Sequence, residues 1–471
     1  MFNSVKSYFR FLIYEAVTII VTYYMPAQVG YIWYLMLLFL YWRSDDEPFW
    51  LAFFMTTVDG FAGFMGLYEV TLKLLPGLPG IELAQFYILI SAIKAVRKNV
   101  KPYLFYNKYL RILFWYLIFL IIWGQFMGFS GTIRDYLRIV KLTVPFLLLY
   151  SLPRLFTDIN AYRHFFGFVF LVFLIGFLTQ LFTLVTGFTP VKILELSAEQ
   201  IAEAGGYEGG YRGFYNVGAT LISLFGALFL LSMKESGQFK RVFLYIVVIA
   251  TFGMAYISAT RGWILSFSFI IILTTFFAMG LNRKGTFVFI LVSILIIMIG
   301  LTNNKLRKQI DFATERVKTI ESIARGDVSG EGSVGRLTVR SPRVMKIWKE
   351  SPVFGWGFSS VQRKYNDGHV GNQNLLMTSG IVGFMLLIGF LFYFDYKILK
   401  LYKKMPKDFA YKNSLLIFII FLLGWFIIHS TSSQHFNYMV IPAQIIPQAI
   451  FLSFGSLIYS QSKKIKYGQS V

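Results

Sequence analysis

The chain has 471 residues, 56% of them apolar and 14% charged, with a mean hydropathy of +0.61. Soluble domains carry about 25% charged residues, so this composition excludes an ordinary globular protein. The formal net charge is +22 and there is no cysteine. Disulfides, thiolate nucleophiles and cysteine metal sites are therefore excluded, and in so apolar a chain the positive charge is read first as membrane orientation, not as nucleic-acid binding.

Apolar runs near twenty residues recur along the chain, the length a spanning helix requires. They are continuous, not alternating, which selects helices over a closed barrel. The sequence predicts an all-α polytopic membrane protein with about 14 transmembrane helices (12–14). The expected spans are 8–24, 29–42, 49–70, 80–96, 107–128, 136–152, 163–187, 212–233, 240–259, 262–280, 284–302, 372–397, 413–430 and 438–460. The first contains Glu15 and precedes no small-residue cleavage site, so it reads as a span and not as a removed signal. Basic clusters occur at Arg97-Lys98, at Lys234 with Lys240-Arg241, at Arg283-Lys284, from Lys397 to Lys412, and at Lys463-Lys464 with Lys466. Fourteen spans place all five on one side, which is then cytoplasmic together with both termini. The chain divides into spans 1–11 over 1–301, a large periplasmic loop over 302–371, and three spans with a basic cytoplasmic tail over 372–471. Long loops translocate regardless of their charge, so the basic outer loop does not disturb this orientation. Ile310, Ala313, Val317 and Ile320 recur at helical spacing and predict an amphipathic helix early in that loop, suited to the membrane interface.

Candidate chemistry lies on the outer side. Arg134, Arg138 and Lys141 stand at the start of the sixth span; Arg134 suits lipid head groups equally well, whereas the other two lie deeper. Arg212 opens the eighth span in Gly209-Gly210-Tyr211-Arg212-Gly213, and Arg261 occupies a turn of almost no length in Ser258-Ala259-Thr260-Arg261-Gly262-Trp263. Ionisable residues at a bundle edge are costly and call for a partner. Guanidinium groups suit phosphate because they offer paired hydrogen bonds. Arg336 follows the glycine-punctuated stretch Gly332-Ser333-Val334-Gly335, with Arg340 one turn on. Then come Pro352-Val353-Phe354-Gly355-Trp356-Gly357, His369, Asn372 and Gly380-Ile381-Val382-Gly383. His369 is the best-placed outer base. His164 falls on the cytoplasmic side, and the outer His369, His429 and His435 are too scattered for a metal site. No phosphate-binding loop, zinc-protease motif or nucleophile elbow is present.

In these residues, chiefly over 205–395, the chain resembles the O-antigen ligase and O-antigen polymerase family of bacterial polytopic membrane glycosyltransferases. The resemblance implies a GT-C-type bundle with a large periplasmic loop in the inner membrane, working without metal or cofactor. It implies a donor glycan on undecaprenyl diphosphate and a lipid-linked glycan acceptor (polymerase) or a lipid A core (ligase). The polar residue that usually follows the histidine is Val370 here, and Asn372 takes its place. Arg261, Arg336 and His369 are then the catalytic candidates, and Arg212, Arg138, Lys141, Arg340 and Asn372 the substrate-binding ones. Fixed cations can hold a departing diphosphate without a metal, and one displacement inverts the anomeric centre. Polymerase is the expected activity and ligase its alternative. A lipid-linked oligosaccharide flippase is the alternative of another class, although its cations should line the membrane depth and not gather at one face.

Overall fold

The computed structural model describes residues 5–59, 71–72, 80–186, 217–233, 238–279, 303–324, 335–406, 409 and 411–466. Apart from a two-stranded antiparallel pair, Thr71–Leu72 with Ile81–Glu82, the regular structure described is helical. Among the described residues, eight stretches are long and apolar enough to cross a membrane: Asn107–Phe126, Ile133–Leu155, Ile159–Thr186, Lys240–Ile257, Arg261–Ala278, Gly371–Lys404, Lys412–Thr431 and Pro442–Lys464. Each coincides with an expected span, and together they make the chain a multi-pass helical membrane protein.

The other expected spans look different. Val5–Tyr24 carries Lys6, Arg10 and Glu15 within 20 residues. Ala27–Arg43, Leu83–Lys98 and Val217–Ser232 are helices of 17, 16 and 16 residues. Glu47–Asp59 is helical for 13 residues, and the rest of that span lies outside the described residues, as does 284–302.

Several charged groups inside the bundle are paired, as a medium without water favours. Lys94 meets Glu47 at 2.6 Å and Lys141 meets Glu82 at 2.9 Å. The Asp59 carboxylate accepts from the backbone N–H groups of Gly218 and Ala219, at 2.8 and 2.7 Å, and so caps Val217–Ser232. Between these pairs the core is aromatic. Phe225 packs against Phe418, Phe421 and Phe451 with ring centres 5.0–5.2 Å apart, joining three helices at one point. Helix Lys412–Thr431 is central to the site: it packs along Gly371–Lys404 on one side and Arg261–Leu273 on the other.

Candidate active site

Helix Lys412–Thr431 ends in a polar sequence, Ser430-Thr431-Ser432, with its last carbonyls directed past the helix. Such carbonyls lack intrahelical partners and carry partial negative charge. Arg336 Nη1 donates to the Thr431 carbonyl at 2.5 Å. The His369 ring hydrogen-bonds the backbone of Ser432. Asn372 Nδ2 donates to Ser430 Oγ at 3.0 Å. Gly262 lies so close to the Thr431 and Ser432 side chains that a Cβ there would collide with both, which brings the preceding Arg261 to the same helix end. Three separate parts of the chain thus bring Arg261, Arg336, and His369 with Asn372, to residues 430–432. Arg340 joins them through a residue that motif reading passed over. The buried Asp367 carboxylate holds Arg340 at 3.8 Å and Arg343 at 3.0 Å, and accepts from the backbone N–H of His369 at 3.0 Å.

The Arg261 turn is built with care. Ala259 has a φ of 52°, an uncommon value for a residue with a Cβ. Thr260 sits at the N-cap of Arg261–Leu273, its hydroxyl 2.7 Å from that of Ser258. The amphipathic helix expected early in the outer loop is present as Asn304–Ala324. Its buried side lies on this turn. Arg316 Nε donates to the Ala259 carbonyl at 3.2 Å, Gln309 Nε2 to that of Ile257 at 2.5 Å, and the Tyr256 and Thr314 hydroxyls are 2.6 Å apart.

The two glycine motifs do not touch this chemistry; they hold each other. Helix Gly371–Lys404 is broken at Gly380, where φ is 63° and ψ −175°, a region open essentially to glycine alone. The break exposes backbone groups on both sides, and the turn Pro352–Phe358 takes them up. Trp356 and Gly357 donate to the carbonyls of Met377 and Thr378, while Ile381 and Val382 donate to those of Pro352 and Val353, all at 2.9–3.2 Å. Helix Asn107–Phe126 closes the other side: Trp123 Nε1 donates to the Gly355 carbonyl at 2.9 Å, and Phe358 N–H to that of Leu120 at 3.2 Å. Gly355 (φ 69°) and Gly357 (φ 55°) allow the turn to lie this close.

The remaining candidates stand apart. Lys141 is occupied by Glu82 and the Gly80 carbonyl. Arg138 lines a separate polar cavity. Arg212 lies outside the described residues. His429 is structural, its Nδ1 accepting the backbone N–H groups of His435 and Phe436 at 3.1 and 3.3 Å. His435 lies between Trp263 and Trp425, and burial pushes its pKa down to about 4. His164 packs on Phe168, away from the cluster.

His369 itself is exposed, yet its pKa lies below the ordinary 6.5. Partial desolvation is the leading cause, followed by the positive charges of Arg336 and Arg340; the Ser432 hydrogen bond and Asp367 work the other way. The ring is therefore neutral near pH 7, able to accept a proton, and surrounded by fixed cations. Among the described residues no group of three or more His, Asp or Glu side chains could hold a metal ion. The sequence matches no protein-family model and no curated protein.

Proposed function

We propose that the protein is a bacterial inner-membrane glycosyltransferase that moves a glycan from an undecaprenyl-diphosphate carrier to a lipid-linked glycan acceptor. In this reading it is an inverting, metal-independent polysaccharide polymerase of the O-antigen type. The observation that carries the reading is the convergence of Arg261, Arg336 and a neutral His369 on the end of one apolar helix. A site with fixed guanidinium groups beside a proton acceptor suits departure of a diphosphate during attack by a hydroxyl.

His369 takes the proton of the acceptor hydroxyl. The acceptor oxygen attacks the anomeric carbon on the face opposite the diphosphate. The bond from that carbon to the diphosphate oxygen breaks, and the electron pair leaves with the diphosphate, where Arg261 and Arg336 receive the charge. Asn372 orients the acceptor, and Asp367 fixes Arg340 and the loop that carries His369. The active site belongs on the periplasmic face, with both termini in the cytoplasm, because five basic clusters share the opposite side.

The test uses purified protein in liposomes with an undecaprenyl-diphosphate-linked oligosaccharide, and reads glycan transfer. Transfer should persist in excess chelator. Each lost charge-assisted hydrogen bond contributes about 1.5–3 kcal/mol, so Arg261→Ala and Arg336→Ala should each lower the rate at least about 10- to 150-fold. Lysine at either position should restore little, since it keeps the charge and loses the planar fork. Wild-type transfer by both alanine variants, or activity that returns only with a divalent cation, would refute the assignment.

A further inference from the structure

Two adjoining cavities lie on the other side of the loop that carries His369. One is a polar vestibule of about 250 Å³, lined by Arg138 and Arg363 and by the amides of Gln362, Asn366, Gln434 and Asn437. The other is an apolar groove of about 710 Å³ between helices Asn107–Phe126, Ile133–Leu155 and Gly371–Lys404. Asn437 belongs to both walls, and the neighbours Leu142 and Thr143, like Met439 and Tyr438, line one and the other. The groove opens sideways: Phe114, Leu147 and Tyr150 on its rim are 53%, 37% and 40% exposed. It follows helix Asn107–Phe126 from Asn107 to Ile121, about 21 Å at 1.5 Å per residue, or most of a hydrocarbon layer about 30 Å thick.

The wall between vestibule and cluster is one short stretch of chain. Asn366 and Gly368 line the vestibule. The residues alternating with them, Asp367 and His369, face Arg340, Arg343 and Arg336. Gln434 N–H donates to the Gly368 carbonyl at 2.7 Å, and Asn374 Nδ2 reaches both Asn366 Oδ1 and Gln434 Oε1 at 2.7 Å. Gln434, though 8% exposed, leaves its side-chain nitrogen without an acceptor. Arg363 is paired with Asp135. Arg138 has no carboxylate partner among the described residues.

We propose that vestibule and groove together bind a second lipid-linked glycan, the acceptor, while the Arg261–Arg336 cluster holds the donor diphosphate. The polyprenyl tail lies in the groove, its phosphate meets Arg138, and its sugars meet the amides. A phospholipid head would need the cation and few of the amides, whereas a hydroxyl-rich ligand uses them all. The acceptor sugar then has only residues 366–369 between itself and His369. This inference rests on the glycosyltransferase reading for the word acceptor; the count of two lipids does not.

Full-length protein in detergent, with undecaprenyl phosphate as probe and native mass spectrometry as readout, tests the count, with phosphatidylglycerol in a parallel arm. The wild type should retain two undecaprenyl phosphates per chain. Leu117→Trp, which fills the groove, should retain one, and so should Arg138→Gln, an exposed position that leaves folding intact if the tryptophan does not. A wild type holding one lipid, or an Arg138→Gln variant holding two, overturns the proposal. Equal retention of phosphatidylglycerol overturns it as well, since the groove would then be an ordinary lipid seam. In the liposome assay Arg138→Gln should raise the acceptor concentration for half-maximal transfer about tenfold and leave that of the donor unchanged; the converse pattern sinks the assignment of acceptor. Two bound lipids without any transfer by the wild type would sink the glycosyltransferase reading alone.

Discussion

His369 sits among groups that oppose its protonation, Arg336 and Arg340 above all after desolvation. A base with a lowered pKa stays neutral as the medium turns mildly acidic. Glycan transfer should therefore hold its rate through pH 6.5 and fall only below it, and His369→Ala should cripple transfer at every pH while His164→Ala does little. An acid limb centred above pH 6.5 would remove His369 as the base. Asp367 favours the protonated ring, so Asp367→Asn should move that limb to still lower pH. His435 makes a separate prediction about stability. Its folded pKa is about 4, below the unfolded 6.5. Between these values the unfolded chain binds a proton that the folded chain refuses. Stability is then complete above pH 6.5 and falls as pH drops towards 4, by up to about 1.4 kcal/mol per pH unit. Thermal melts of detergent-solubilised protein across this window should show the loss, and His435→Gln should make the slope shallower.

Among the elements, the broken helix Gly371–Lys404 is the most exacting. Alanine at Gly380 would meet both a forbidden backbone region, about 1–3 kcal/mol, and the Val353 carbonyl. Gly380→Ala should lower the melting temperature and cost transfer by displacing the turn beneath the site, whereas Gly368→Ala, with open space around it, should leave the melt unchanged. Equal melts for the two would show that the turn does not depend on the break. The sequence made the eight long spans legible because twenty apolar residues in a row have few other uses. It also let His369, Arg261 and Arg336 be grouped, because all three fall on the outer side of the expected spans. It could not show that Pro352–Gly357 and Gly380–Gly383 bond each other, because hydropathy runs unbroken across Gly380 and backbone pairing leaves no period. Asp367 was equally hidden: a single acid beside a glycine looks like any loop until two arginines are found on it.

For the molecule as a whole, the proposed orientation predicts which ends face outward. The chain has no cysteine, so single cysteines report cleanly. Lys349→Cys, exposed beside the site, should react with an impermeant thiol reagent from outside the cell membrane, and Lys404→Cys, exposed at the far end of Gly371–Lys404, should not. The reverse pattern would invert the molecule and take the proposed site to the cytoplasm.

The bond from Trp123 to Gly355 spans 232 residues of sequence. A ribosome adds about 5–20 residues per second, so helix Asn107–Phe126 waits in the membrane for about 10–50 s before the turn that seals it has been made. The break at Gly380 comes later still. The clasp at the base of the proposed site is therefore among the last parts of the protein to close during synthesis, and a chain released early carries most of its spans and none of its finished site.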